Sequence, residues 1–248
     1  MRGGYDAQLF ERIAEAEPRS FWFNARNRLI VSAVRQHFPW AESLLEVGCG
    51  TGYVLAAIHN AFPGLRLVGT ELLSQGLDIA RARLPRVELH EADVRSLPYE
   101  SDFDVVGAFD LLEHVEEDEQ ALVHLARAVR PGGGLILLVP QHPRLWSGMD
   151  DVARHVRRYT RGDLTSKVSR TGLDVVAASS FVSVLLPAMA ASRAASRVFR
   201  RPYDPVAELV PGAFNGLFER ILDGERRLIE RGVSLPFGGS LLVVARKR

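Results

Sequence analysis

Residues 46–52 read Glu-Val-Gly-Cys-Gly-Thr-Gly, directly after the apolar run that opens at Leu44 and directly before an amphipathic stretch over 53–62. Glycines at alternate positions behind a buried strand make a flat loop whose main chain a nucleoside can approach closely. The loop departs from the dinucleotide fingerprint G-x-G-x-x-G. That pattern would start at Gly48 and need glycine where Tyr53 stands.

The rest of the chain alternates in the same way. Residues 21–38 have helical spacing, with Leu29, Ile30, Ala33 and Val34 on one face. Strands are predicted at Leu44 to Val47, Leu65 to Gly69 (ending at Glu71), Val87 to Leu89, Phe103 to Phe109, Leu135 to Val139, Leu173 to Ala177 and Leu241 to Ala245. Helices are predicted over 53–62, 75–83 and 117–130, the last broken by Pro131-Gly-Gly-Gly134, and from a cap at Thr160 and Asp163 to near Gly172. Such alternation implies an α/β doubly wound sheet of mostly parallel strands, covered on both faces. Ligands of such sheets bind beyond the carboxyl ends of the strands, where the strand order switches.

Composition is that of one globular domain. The 248 residues are 47% hydrophobic and 25% charged, and 31 Lys and Arg against 30 Asp and Glu leave a net charge of +1. That balance calls for no nucleic-acid partner. The single cysteine, Cys49, forms no intrachain disulfide and suits a reducing compartment. The first residues lack the apolar core of a signal peptide, and no run reaches the length of a spanning helix. A cytoplasmic protein is the expectation.

The ordered landmarks resemble those of class I S-adenosylmethionine-dependent methyltransferases, of the small-molecule type similar to the ubiquinone-biosynthesis enzymes. The glycine loop with Glu46, Gly48, Cys49, Gly50 and Gly52 resembles the family's cofactor loop. Glu71 and Leu72 stand where the family places an acid on the ribose hydroxyls. Asp93 and Val94 match the adenine-contacting pair, and Asp110 matches the position beside the methionyl part. Arg130-Pro-Gly-Gly-Gly134 is a further landmark. The resemblance implies a seven-stranded Rossmann-like methyltransferase sheet with an antiparallel last strand. S-adenosyl-L-methionine is the implied cofactor and S-adenosyl-L-homocysteine the product. Phe21-Trp-Phe-Asn-Ala-Arg26 resembles the aromatic-and-arginine helix of a bacterial branch, with Arg26 as partner of the methionine carboxylate and Trp22 as cover. The weighed alternative for this segment is an amphipathic helix with core aromatics and solvated arginines.

The single domain divides into an N-terminal helical cap (1–40), a cofactor-binding core (41–180), a helical insertion or lid between strands 6 and 7 (181–236) and the last strand (237–248). In the insertion, Phe181 to Phe199 reads as an amphipathic helix with Arg193, Arg197 and Arg200 on one face, and 214–231 as a second helix. A cationic helix over 181–201 is a candidate for peripheral membrane contact, against simple core packing.

Candidates for the chemistry follow the fifth strand. His155, then His142 and His114, are candidate general bases, because imidazole titrates near neutral pH. Trp146, Arg157, Arg158 and Tyr159 are candidate substrate-orienting residues. Helix capping and solvated arginines are the competing explanation. No H-E-x-x-H or paired-cysteine spacing occurs, so no resident metal is expected. The leading expectation is methyl transfer to a small-molecule or lipid-like acceptor. An NAD(P)-dependent oxidoreductase and a non-catalytic methyltransferase-like binding module are the alternatives.

Overall fold

The computed structural model describes residues 7–191, 210 and 212–248, with side chains from residue 10 onward. Seven strands form one sheet: β1 (Ser43–Val47), β2 (Arg66–Glu71), β3 (Glu88–Glu91), β4 (Phe103–Phe109), β5 (Val129–Pro140), β6 (Leu173–Phe181) and β7 (Ser240–Lys247). Their order is β3-β2-β1-β4-β5-β7-β6. The pairs β1–β2, β1–β4, β2–β3 and β4–β5 are parallel, while β7 runs antiparallel to both β5 and β6. The expected doubly wound sheet with its reversed last strand is therefore present. The strand order switches at β1, whose neighbours are β2 and β4, so the loops leaving β1 and β4 diverge and open a crevice between them.

Alternation along the strands feeds two cores. Leu45, Leu135 and Leu137 face one layer with α5 (Asp118–Ala128) and α7 (Arg161–Arg170). Leu44, Ile136 and Leu138 face the other, with α2 (Phe21–His37) and α3 (Tyr53–Ala61). Three further helices belong to this part of the chain: α1 (Ala7–Ala16), α4 (Ser74–Arg83) and the short α6 (Gly148–Val152). Thr160 caps α7 by accepting from Asp163 N–H, as its spacing predicted.

Three local expectations change. The Pro131-Gly-Gly turn does not precede β5 but lies inside it: Phe103 pairs with Val129 and Val105 with Gly134, so the intervening residues bulge out while the strand continues. Gly134 is needed there, because a Cβ would lie 2.3 Å from Phe38 Cζ. The sixth strand runs on to Phe181, which is buried and paired with Ser240 rather than opening a helix. Helix begins only at residue 186, and Arg193, Arg197 and Arg200 lie outside the described residues. Among the described residues, no helix is long and apolar enough to cross a membrane.

The second helix of the insertion, α8 (Asn215–Glu230), packs on the outer face of α2. Arg28 pairs with Glu219 and Asp223 at 2.8 Å each, and Ser32 Oγ donates to Glu230 Oε1. Buried Glu225 accepts from the N–H groups of Ser183 and Val184. None of the α8 residues lines the crevice above β1 and β4, so this helix buttresses α2 instead of covering that crevice.

Candidate active site

A cleft of about 490 Å³ opens beyond β1 and β4. Its floor is the glycine loop. The N–H groups of Gly48 and Cys49 both donate to Thr70 O, at 2.7 and 2.9 Å, which ties the loop to β2. Gly50 holds a φ of +53°, and a Cβ there meets nothing within 4 Å, so its main chain lies open to an approaching ligand. Gly52 turns the chain into α3 and lies close against Ala80 of α4. Cys49 is buried in the loop, where burial pushes its thiol well up, and it serves as a small packing residue.

The acids fall in sequence order around this floor. Glu71 Oε2 accepts from Gly50 N–H at 2.9 Å, and its Oε1 accepts from Leu72 and Leu73 N–H at 2.9 and 3.0 Å. It thereby shapes the loop as well as lining the cleft. Asp93 is gripped by Arg95, whose Nη2 lies 2.6 Å from Oδ2, and that contact holds its carboxyl below the usual range. Asp110 sits at φ +52° just after β4 and pairs with Arg26 Nη1 at 2.7 Å. Glu46 is 2% exposed, and its Oε2 has no hydrogen-bond partner. Burial pushes Glu46 up to about 8, with Arg26 pulling the other way.

The cleft brings together Arg26, Glu46, Gly48, Cys49, Gly50, Glu71, Leu72, Asp93, Val94, Asp110 and His114. Trp22 does not line it. The indole instead backs Arg26, whose guanidinium lies 4.8 Å from the ring centroid.

The expected substrate residues go elsewhere. Arg158 is buried and forks onto Asp150, Nε to Oδ1 at 2.7 Å and Nη2 to Oδ2 at 2.9 Å. Tyr159 is fully buried, and its hydroxyl donates to Asp118 at 2.8 Å. Arg157 pairs with Asp118 and donates to Glu116 O. Trp146 Nε1 donates to Asp151. All four serve internal bonds and none lines the cleft. Of the three histidines, only His114 reaches the cleft, and burial lowers it to about 3. His155 stands behind it with Nδ1 2.9 Å from Asp150 Oδ1. His142 lies beside Phe237, away from the cleft.

Several cleft residues carried no motif. Phe10 and Ile13 of α1 and the following Glu17 line it from above. Glu17 is buried, accepts from Thr51 Oγ1 and pairs with Arg83 at 2.8 Å, locking the N-terminal segment onto the glycine loop. The helical spacing of Phe10, Ile13 and Ala14 is the available signal in the sequence. Nothing in it says which surface that face would meet.

The comparisons with known proteins agree with this geometry. A family profile described as a methyltransferase domain matches residues 44–133. A trans-aconitate 2-methyltransferase of Azoarcus sp. is 27% identical over 185 residues, 74% of this chain and 68% of the relative. A dTDP-4-amino-2,3,4,6-tetradeoxy-D-glucose N,N-dimethyltransferase of Saccharopolyspora spinosa is 29% identical over 135 residues, 53% of each chain. Two other curated relatives are matched over only 39% and 60% of their own length. Among solved structures, the [4+2]-cyclase SpnF superposes with a TM-score of 0.58 at 21% identity, covering 91% of this chain and 83% of that one. The amino pentose methyltransferase CalS10 of Micromonospora echinaspora, with S-adenosylmethionine bound, gives 0.54 at 21% identity over 73% and 94%. At these identities the solved structures speak for the fold, and the cyclase among them shows that this fold alone does not dictate the reaction. With the glycine loop, the ordered acids and the matched segment all on the same strands, the chain carries a methyltransferase domain over residues 44–133 and is similar to S-adenosylmethionine-dependent methyltransferases.

Proposed function

We propose that this protein transfers the methyl group of S-adenosylmethionine to a small-molecule acceptor. The observation that carries this reading is the charge of the cleft. Among the described residues, seven carboxyl groups line it (Glu17, Glu46, Glu71, Asp93, Asp110, Glu116, Glu117), Glu46 being held largely neutral by burial, against three guanidinium groups (Arg26, Arg95, Arg154). A cationic sulfonium with an ammonium group suits such a lining, whereas the pyrophosphate of a nicotinamide dinucleotide opposes it. The open face at Gly50 and the unpartnered Glu46 Oε2 fit the same ligand.

The cofactor supplies a methyl carbon electrophile. Glu71 Oε2 retains one acceptor site for a ribose hydroxyl beside the carboxylate's three backbone bonds. Asp93 and Val94 bound the adenine end. At the other end, Arg26 is placed for a carboxylate and Glu46 for an ammonium. The protein's work is then alignment and exclusion of water. His114 is held neutral and weakly basic, and His155 and His142 lie outside the cleft. This arrangement favours an acceptor already nucleophilic near neutral pH, an amine or a carboxylate, over one that must lose a proton to a strong base. The names of the trans-aconitate and amino-sugar relatives point the same way.

Calorimetric titration with S-adenosylhomocysteine and, separately, with NADPH tests the reading. Binding of the first alone is expected; binding of NADPH alone would move the protein to the oxidoreductases. Labelled methyl transfer from S-adenosylmethionine into panels of amines and carboxylates then tests the acceptor class. Label found only in phenols or protein would overturn that part.

A further inference from the structure

Beside the cleft lies a second cluster that the methyl-transfer reading does not use. Glu113 is 0% exposed, and neither carboxylate oxygen has a hydrogen-bond partner. Burial of a carboxylate with no donor is strongly unfavourable. Two further carboxylates, Asp110 and Asp150, bear on it against the single cation Arg158. His155 Nε2 lies 3.9 Å from Glu113 Oε1, too far for a hydrogen bond. His114 meets the His155 ring edge-on, with 4.8 Å between centroids.

We propose that Glu113, His114 and His155 form a binding site for a first-row divalent cation of the Zn²⁺ type. One donor atom from each residue, taken together, lies within 4.8 Å of the others. A shift of about 1 Å closes such a set around an ion held at roughly 2.0–2.2 Å. The His155 imidazole is already braced from behind. His155 Nδ1 is 2.9 Å from Asp150 Oδ1, and Asp150 is itself fixed by the fork of Arg158. The backbone of Ala153 and Arg154 lies against the His114 ring. Carboxylate or carbonyl support on the far ring nitrogen is how metal-binding imidazoles are oriented. The two segments are also pinned to each other, since Val156 N–H donates to Glu113 O at 2.7 Å. Two imidazole nitrogens and one carboxylate oxygen favour zinc or iron over calcium. His114 lines the cleft, so an ion held by this cluster would lie at the cleft wall.

The test uses the full chain, stripped with a chelator and titrated with Zn²⁺ or Co²⁺, with metal content measured after gel filtration. Stoichiometric binding is expected, with loss in Glu113→Gln and His155→Ala. A weakening of about 10- to 100-fold is expected in Asp150→Asn, and no change in His90→Ala on the exposed surface. Wild-type protein that binds neither ion, or binding that survives in both ligand variants, would overturn the site. If the variants fail to fold, the wild-type Co²⁺ protein decides by NMR. Hyperfine-shifted N–H resonances from two imidazoles support the site, and one or none refutes it. None of these readouts depends on methyl transfer.

Discussion

Arg26 Nη1 and Asp110 Oδ2 lie 2.7 Å apart and join α2 to the end of β4 across the mouth of the cleft. The arginine is 7% exposed and backed by Trp22 and Phe23, so the pair is shielded and directional. Removing one partner of such a pair strands the other charge. Arg26→Ala is expected to destabilise the fold by about 3 kcal/mol and to weaken S-adenosylhomocysteine binding many-fold. Urea denaturation and calorimetry measure the two effects. Unchanged affinity would remove Arg26 from the cofactor site.

Gly50→Ala separates the ligand bed from the fold. Its added methyl meets no protein atom within 4 Å, so only the positive φ of +53° opposes it, at about 1 kcal/mol. Cofactor affinity should fall roughly tenfold or more, about 1.4 kcal/mol, because the methyl enters the ligand's space. A variant with wild-type affinity would mean that the cofactor does not lie on this loop.

Glu46 should make both stability and binding depend on pH. Its folded value of about 8 lies above the ordinary 4.5. The stability it contributes is therefore complete below pH 4.5 and declines as pH rises through about 8. A cationic ligand beside it favours the ionised form, so S-adenosylmethionine binding near neutral pH should release a proton and tighten toward pH 8. Calorimetry in buffers of different ionisation enthalpy detects that proton. Glu46→Gln should abolish both dependences; a proton release that persists would assign it to another group.

Tyr159→Phe distinguishes a core role from a substrate role. The hydroxyl bonds Asp118 and Leu112 O inside the protein. Its loss should cost about 1–2 kcal/mol of stability and leave methyl-transfer kinetics unchanged when assayed well below the melting transition. A raised KM for the acceptor would restore Tyr159 to the substrate site.

Much of the site was legible because its signals are local. The glycine loop, Glu71, Asp93 and Asp110 each follow a strand, and a strand ending is readable from a short apolar run. The substrate candidates lie away from the cleft for a physical reason. Arg157, Arg158 and Tyr159 stand in a polar stretch after β5 that looks solvated in sequence. In the fold that stretch turns back, Tyr159 N–H donates to Pro140 O, and its polar groups find Asp118 and Asp150 inside. Glu17 was silent for the opposite reason, since its partners Thr51 and Arg83 are distant along the chain.

The sequence by itself determined the strand–helix alternation, the flat glycine loop and the order of acids around it, because turns and hydrophobic periods are set by neighbouring residues. Only the tertiary structure decided that Arg26 meets Asp110, that Glu46 Oε2 and both Glu113 carboxylate oxygens are buried without a hydrogen-bond partner, and that His114 and His155 face each other. Those relations depend on how distant segments pack, and a carboxylate's charge state and partners follow from what surrounds it rather than from its neighbours in the chain.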